Sequence, residues 1–183
     1  MDTYRLLLVG GSLRTGSVNT AVLTTVAALA PTGVETTVYD GLGALPWFNP
    51  DDDQAPLHPA VADLRDRLHR SDAVLFSTPE YAGALPGSFK NLLDWTVGDG
   101  LYEKPVGWVN ASALHGAQWA HASLRTVLGY VSADVVEDAC VAIPVPRSSY
   151  GPEGVIADPE IRAALTAVIA ALVRHVAEVR RRD

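Results

Sequence analysis

The sequence predicts an open α/β fold in which one parallel sheet lies between two layers of helices. Five short apolar runs alternate along the chain with helix-length segments whose apolar residues recur every three or four positions. No Pro-, Gly- or Ser-rich linker interrupts this alternation, so we predict a single domain spanning residues 1–183. The predicted strands cover residues 4–9, 34–39, 72–77, 104–112 and 135–145.

Local signals place helices between these strands. Pro59 and Pro86 are expected as first helical residues, and Asp158 precedes a proline at the start of the last helix. The second run alternates between apolar and polar residues, which suits an edge strand, whereas the first and third runs are apolar throughout and suit central strands. The predicted helices cover residues 21–29, 59–70, 118–128 and the segments that begin at Pro86 and Asp158.

Composition and charge exclude several classes of function. The formal net charge is −7 at pH 7 and no functional basic run is present, so we expect no nucleic-acid groove. Cys140 is the single cysteine, so it forms neither an intrachain disulfide nor a cysteine metal cluster, which fits a reducing cytoplasm. The sequence has no signal-peptide pattern and no apolar run of membrane-spanning length, so we expect no membrane partner.

A polar, glycine-rich loop joins the first strand to the first helix at residues 10–20 (GGSLRTGSVNT). Such a loop aims backbone N–H groups and the positive end of the helix dipole at one point, which suits a phosphate. No GxGxxG or Walker spelling is present, so a monophosphate bound without metal fits best. In the alternative, the loop is an ordinary turn in which Ser17 or Asn19 caps the helix. Side chains able to donate to phosphate are Ser12, Arg14, Ser17, Asn19 and Thr20.

A second loop, at residues 78–85, follows the third predicted strand. Glu80 and Tyr81 would form a polar and aromatic wall for a flat ring, while Gly83 permits close approach of the backbone. Because the first and third strands flank the switch point of such a sheet, we expect both loops to face one crevice. In the alternative, Tyr81 is a surface aromatic and Glu80 a solvated acid.

The long loop at residues 40–58 contains an acidic triplet and two aromatic residues. The triplet, residues 51–53, resembles a metal site in composition only, because adjacent side chains diverge and no EF-hand spacing surrounds them. Trp47 and Phe48 are expected to anchor the loop or to form an interface contact. We therefore predict no metal in this region.

The sequence also favours non-catalytic roles for two histidines and for the cysteine. His115 and His121 lack a partnering carboxylate or a zinc-binding spacing, so exposed or simply hydrogen-bonded roles are favoured. Cys140 falls within a predicted strand, which favours a buried thiol over a nucleophile. We therefore predict no catalytic residue among these groups.

The two loops together resemble the NADPH-dependent FMN reductases, which include bacterial chromate and quinone reductases and related azoreductases. The matching motifs are GSLRTGSVN at residues 11–19 and PEYAGALPGSFKNLLDW at residues 79–95. The resemblance implies a flavodoxin-like three-layer α/β/α sandwich with a five-stranded parallel sheet in the order 2-1-3-4-5. It implies an FMN phosphate held by Ser12, Arg14, Ser17 and Asn19. Residues near the isoalloxazine ring would be Pro79, Glu80, Tyr81, Ala82, Gly83, Ser112 and Gly116.

The same resemblance implies an oxidoreductase that passes hydride from NADPH or NADH through FMN to an acceptor. Acceptors of such enzymes include quinones, free flavin, azo compounds and metal oxyanions, and the active form is a homodimer or homotetramer. Backbone N–H groups of residues 79–83 are expected to stabilise negative charge on the ring, and no dedicated catalytic acid or base is required. The alternative function is a non-enzymatic FMN-binding electron carrier or a regulatory flavin-binding module.

The chain departs from the family pattern at two positions. The family often has Asn where this chain has Ala82, so a side-chain amide near the ring is absent. The loop after the fourth strand carries less glycine than is usual, and His115 lies within it. These departures bear on flavin affinity and on the choice of acceptor more than on the identity of the cofactor.

Overall fold

The computed structural model of the chain describes residues 3–113, 116–151 and 153–182. Strands and helices alternate as predicted. The strands are β1 (Tyr4–Gly10), β2 (Val34–Tyr39), β3 (Ala73–Ser77), β4 (Pro105–Asn110) and β5 (Asp134–Ala142). The helices are α1 (Val18–Leu29), α2 (Pro59–Arg70), α3 (Gly87–Asp94), α4 (Gln118–Tyr130) and α5 (Pro159–Arg180). No helix in these ranges is both long and apolar enough to cross a membrane.

The sheet has the predicted order, β2-β1-β3-β4-β5, and every neighbouring pair is parallel. Strand β1 lies between β2 and β3, at the point where the order of the strands along the sheet reverses direction. Leu8 of β1 pairs with Val38 of β2 on one side and with Leu75 of β3 on the other. The alternating strand β2 is at an edge, as its pattern predicted. The carboxyl ends of β1 and β3 are therefore neighbours, which places their loops side by side.

Successive residues of β1 point to opposite faces of the sheet and enter separate cores. Leu6 and Leu8 pack with residues of α1 and α5. Leu7 and Val9 pack with residues of α2, α3 and α4. All four side chains are at most 1% exposed, so β1 is buried on both faces and the fold has three layers.

Two helices begin at different residues from those predicted. Helix α1 begins at Val18, because the Ser17 side chain caps it, so the predicted start at residue 21 was late. Pro86 is the N-cap of α3 and not its first helical residue, since its backbone is extended (φ −55°, ψ 139°). Pro59 does occupy the first turn of α2, as predicted.

Regular pairing in β4 and β5 ends before the predicted limits of residues 112 and 145. Ile143 still donates to the carbonyl of Asn110 at 2.9 Å, and Val145 donates to that of Ala111 at 3.2 Å. The intervening Pro144 has no N–H group and interrupts the ladder. The chain therefore continues alongside β4 without forming a regular strand.

The loop between β2 and α2 is anchored by one of its two aromatic residues. Phe48 packs edge-on against Trp95, with ring centroids 5.0 Å apart, and its N–H donates to Asn91 Oδ1 at 2.8 Å. Trp95 Nε1 donates to the carbonyl of Pro46 at 2.9 Å. Trp47 is 80% exposed, so only Phe48 anchors the loop within this chain.

Candidate functional site

The loops that follow β1, β3 and β4 line one cleft of about 300 Å³. This cleft is at the carboxyl ends of the strands, where open parallel sheets bind ligands. Predicted residues that line it are Ser12, Arg14, Ser17, Asn19, Pro79, Tyr81 and Ser112. Predicted residues outside its lining are Thr20, Glu80, Ala82, Gly83 and Gly116.

A larger groove of about 610 Å³ lies between α2 and the amino halves of β1 and β2. Charged side chains in it already neutralise each other, because Arg67 pairs with Asp63 at 2.9 Å and Arg70 pairs with Asp66 at 2.9 Å. The groove is lined by strand and helix residues and not by the loops at the carboxyl ends of the strands. The smaller cleft is therefore the candidate site.

The hydroxyl groups of the first loop are oriented by local hydrogen bonds. Ser17 Oγ accepts from the N–H of Asn19 at 3.2 Å, and Ser12 Oγ accepts from the N–H of Arg14 at 3.2 Å. Each hydroxyl is an acceptor in its bond, so its own proton can still be donated to a ligand. The N–H groups in the first turn of α1 also project from the amino end of the helix, and they have no hydrogen-bond partner within the helix. The capping alternative and the anion-binding arrangement are thus compatible.

Asn19 is buried and ties the first loop to the centre of the sheet. Its Oδ1 accepts from Ser77 Oγ at 2.9 Å, and Ser77 Oγ also lies 3.0 Å from the carbonyl of Val109. The amide NH₂ of Asn19 donates to no described residue and remains available to a ligand. Ser77 was not singled out from the sequence, although a serine at the carboxyl end of a fully buried strand is a usable signal.

The glycines of the first loop are required for different reasons. A Cβ on Gly11 would lie 2.1 Å from Thr78 Oγ1, so this glycine lets the first and second loops pack together. Gly16 has open space around it but adopts φ +66°, a conformation that other residues rarely tolerate. The close approach of the backbone at Gly11 is therefore to the neighbouring loop.

The second loop contains a tight turn from Tyr81 to Ala84. The two residues exchange backbone hydrogen bonds of 3.0 Å in both directions. The central residues, Ala82 (φ 50°) and Gly83 (φ 71°), both have positive φ, as in a type I′ turn. The N–H of Tyr81 is engaged in the turn, whereas those of Glu80, Ala82 and Gly83 donate to no described residue.

Glu80 joins the second loop to the amino end of α4. One carboxylate oxygen, Oε2, accepts from the N–H groups of Trp119 and Ala120, each at 2.9 Å. A carboxylate is favourable there because the first-turn N–H groups of a helix lack partners and carry partial positive charge. Glu80 is therefore engaged by the helix and is neither a fully solvated acid nor part of the cleft lining.

The loop after β4 is shaped by a side-chain amide. Asn110 Oδ1 accepts from the N–H of Ser112 at 3.1 Å, while Asn110 Nδ2 donates to the carbonyl of Gly116 at 3.0 Å. A Cβ on Gly116 would lie 2.7 Å from Ser112 Oγ, so the glycine permits this closure. Ser112 lines the cleft, whereas Gly116 lies outside the lining and holds the loop closed through its bond with Asn110. His115 lies outside the described residues.

His121 is buried behind this loop and is hydrogen-bonded on one side only. Its Nδ1 donates to the carbonyl of Ala117 at 2.7 Å, while Nε2 has no partner among the described residues. Burial lowers the pKa of His121 below its usual value, outweighing the opposing effects of that hydrogen bond and of Glu80. Of the exposed or simply hydrogen-bonded roles predicted for this histidine, the structure shows the hydrogen-bonded one, in a buried position.

Cys140 also occupies the environment expected of a structural thiol. Its Sγ donates to the carbonyl of Val136 at 3.3 Å, and burial raises the pKa of Cys140 to about 11. Such a thiol is a poor nucleophile. Asp53 of the acidic triplet pairs with Arg65 at 2.8 Å, and the described residues contain no three-residue cluster suited to a metal ion.

One wall of the cleft was not predicted from the sequence. Three residues that follow β5 also line the cleft, namely Val145, Arg147 and Tyr150. Sequence reasoning had assigned Val145 to a strand and had no reason to bring the next residues to the site. Because β5 is parallel to β4, its carboxyl end lies at the same edge of the sheet, and hydrogen bonds within residues 146–157 help to place the following residues beside the cleft.

Comparison with known proteins agrees with this geometry. The family model described as NADPH-dependent FMN reductase matches residues 4–146. An NAD(P)H-dependent FMN reductase of Pseudomonas aeruginosa is 30% identical over 183 residues, covering 98% of each chain. A quinone reductase of Pseudomonas putida is 38% identical over 93 residues, covering 51% of this chain and 50% of the relative.

A solved structure extends the match to the whole fold. FerB, described as a flavoenzyme NAD(P)H:(acceptor) oxidoreductase from Paracoccus denitrificans, has a TM-score of 0.79 and 28% identity, covering 96% of this chain and 98% of that chain. The predicted flavodoxin-like architecture is confirmed by the strand order and by this similarity. Sequence and fold lead to one conclusion: the chain belongs to the NADPH-dependent FMN reductase family.

Proposed function

We infer that this chain is an FMN-dependent NAD(P)H oxidoreductase that reduces a small-molecule acceptor. The observation that carries this inference is the single cleft shared by the loops after β1, β3 and β4 in a member of this family. For a quinone acceptor the balanced reaction is NAD(P)H plus quinone plus a proton, giving NAD(P)⁺ and hydroquinone. The relatives named above support a quinone or a flavin as acceptor, and azo compounds and metal oxyanions are further candidates.

The residues of the first loop fit a phosphomonoester. Ser12 and Ser17 each retain a hydroxyl proton, Asn19 retains its amide donors, and Arg14 offers a planar guanidinium. These groups surround the positive end of α1, which favours a dianion. We propose that they hold the FMN phosphate. The Thr20 side chain is exposed and outside the cleft lining, so we assign only its backbone N–H to this site.

The second and third loops fit a flat ring. Bound FMN supplies the redox chemistry, accepting hydride from NAD(P)H and delivering electrons to the acceptor. Pro79, Tyr81 and Ser112 border the cleft next to the phosphate-binding residues and are proposed to orient the ring. Backbone N–H groups of the turn at residues 80–83, except that of Tyr81, are available to stabilise negative charge on it.

No side chain in the cleft needs to act as an acid or base in this proposal. Protons for the reduced acceptor come from solvent, because the cleft is open. Glu80 and Gly116 are proposed to support the ring-binding loops from outside the cleft. The contribution of the protein is therefore binding, orientation and electrostatics.

The electron-carrier alternative is not favoured, because the curated relatives are named as reductases. A carrier needs only an exposed ring edge, whereas a reductase must also admit a nicotinamide. Anaerobic addition of NADPH distinguishes the two, since a carrier would keep its oxidised spectrum. NADH should be tested in parallel.

We propose that the active form is a homodimer or homotetramer in the cytoplasm. Tyr81 (51% exposed) and Trp119 (62% exposed) lie on the two segments that Glu80 joins, beside the cleft. Large exposed aromatic side chains are typical of protein interfaces. The single thiol, Cys140, is compatible with a reducing compartment. Light scattering of the purified protein and cell fractionation would test these two points.

A visible spectrum of the purified protein tests the main proposal. After incubation with FMN and removal of the excess, we expect retained flavin bands that bleach when NADPH or NADH is added anaerobically. Arg14→Gln should retain less FMN than the wild type, whereas Arg174→Gln, which removes an exposed arginine of α5, should retain as much. If titration detected no FMN binding by the wild type, or neither donor bleached the bound flavin, the proposed function would be wrong.

A further inference from the structure

The segment between β5 and α5 is anchored on the helix that borders the phosphate-binding loop. The N–H of Ile156 donates to Thr25 Oγ1 of α1 at 2.9 Å, and the same hydroxyl donates to the carbonyl of Ala21 at 2.7 Å. Ile156 is fully buried in the core beneath α1 and α5. One end of the segment is therefore fastened to the body of α1.

The other end of the segment lines the cleft through Arg147 and Tyr150. Tyr150 forms an antiparallel bridge with Ile156, and the N–H of Ala157 donates to the carbonyl of Ser149 at 3.4 Å. The N–H of Ser149 in turn donates to the carbonyl of Pro146 at 2.9 Å. These bonds place residues 147–150 beside the cleft and make this segment one of its walls.

Two arginines, Arg14 of the first loop and Arg147 of the segment after β5, both line this cleft. Neither guanidinium has a carboxylate partner among the described residues. Several arginines outside the cleft pair with carboxylates, as Arg125 does with Glu137 at 2.6 Å. Two guanidinium groups without carboxylate partners on one cleft of about 300 Å³, in a chain of net charge −7, give this cleft local positive charge that suits an anion.

We propose that Arg147 is a second phosphate-binding arginine, which acts with Arg14 to select FMN over flavins that lack the phosphate. The matched region of the family ends at residue 146, so this role is assigned from the geometry of this chain. The inference rests on the proposed FMN site. A phosphate dianion can accept hydrogen bonds from two guanidinium groups at once, each charge-assisted and geometrically selective.

Fluorescence titration of the flavin-free protein with FMN and with riboflavin tests this inference. We expect Arg147→Gln to weaken FMN binding about tenfold or more while riboflavin binding stays unchanged, because only FMN carries the phosphate. Arg147→Lys should restore part of the loss, since it keeps the charge but not the planar fork. Arg174→Gln, matched in charge and outside the cleft, should bind both flavins like the wild type.

The other outcomes separate the possible failures. Equal FMN affinity in Arg147→Gln and the wild type would overturn the inference while leaving the FMN site intact. If that variant instead raised the KM for NADPH and not for NADH, the arginine would bind the dinucleotide phosphate, and the FMN assignment would be refuted. A wild type that bound neither flavin would contradict the proposed function itself. Equal loss of both flavins, with native circular dichroism, would assign Arg147 a role in shaping the wall and would also refute the inference.

Discussion

Replacement of Ala82 by Asn should stabilise the folded protein. Ala82 is the first central residue of the turn from Tyr81 to Ala84 and has φ 50°. A left-handed conformation costs an ordinary L-residue about 1–2 kcal/mol, whereas Asn is strongly preferred before Gly in type I′ turns. Because Gly83 already supplies the second positive φ (71°), only Ala82 is strained. We expect Ala82→Asn to raise the free energy of unfolding by about 0.5–1 kcal/mol.

Urea unfolding of the flavin-free and FMN-bound protein would measure this change. The midpoint should rise with an unchanged m-value, and Tm should rise by about 1–4 °C for a domain of this size. Ala84→Asn is the matched control, since Ala84 lies in the same turn but has no positive φ. An equal rise for Ala84→Asn, or no rise for Ala82→Asn, would refute the backbone-strain argument. A rise only in the FMN-bound protein would show that the new amide acts through the flavin.

Three further substitutions test the contacts behind the cleft. Glu80→Gln should lower the free energy of unfolding in urea by about 1 kcal/mol, because the N–H groups of Trp119 and Ala120 lose a charged acceptor. Glu80→Asp keeps the charge but is too short to reach these groups, so it should not restore the stability. Ser77→Ala should lower the free energy of unfolding by about 1–3 kcal/mol in the same assay, because Oδ1 of Asn19 loses its donor. It should also lower FMN affinity, and an unchanged affinity would show that Ser77 does not position Asn19 for the flavin. Burial holds the pKa of His121 below its usual 6.5, so the unfolded chain binds more protons and the wild type should lose stability as pH falls below that value. His121→Leu should show a shallower loss between about pH 7 and pH 5, and identical slopes would exclude this histidine as a cause.

Features that depend on neighbouring residues could be predicted from the sequence. The positions of the strands and the edge location of β2 follow from apolar spacing, and local hydrogen bonding limited the cap of α1 to Ser17 or Asn19, of which the structure shows Ser17. The shared cleft followed from the order of the strands, because parallel strands bring their following loops to one edge. Sequence also favoured the structural environments observed for His121 and Cys140.

Contacts between distant residues could not be predicted in the same way. Ser77 meets Asn19 across 58 residues, and Glu80 reaches the N–H of Trp119 across 39 residues. Each partner alone has several plausible roles, and the sequence did not predict that the Glu80 carboxylate accepts hydrogen bonds at the amino end of α4. The choice among such roles depends on which polar groups lie within hydrogen-bond distance after the sheet has formed.

The sequence by itself determined the order of the elements, the two polar loops and their place at the carboxyl ends of adjacent strands, because periodicity and turn chemistry act over a few residues. Only the tertiary structure decided which side chains line the cleft. It brought Arg147 to the wall of the cleft by anchoring Ile156 on Thr25, a contact that spans 131 residues. Such contacts depend on packing between elements that no local pattern records, so the fold was predictable while the composition of its site was only partly so.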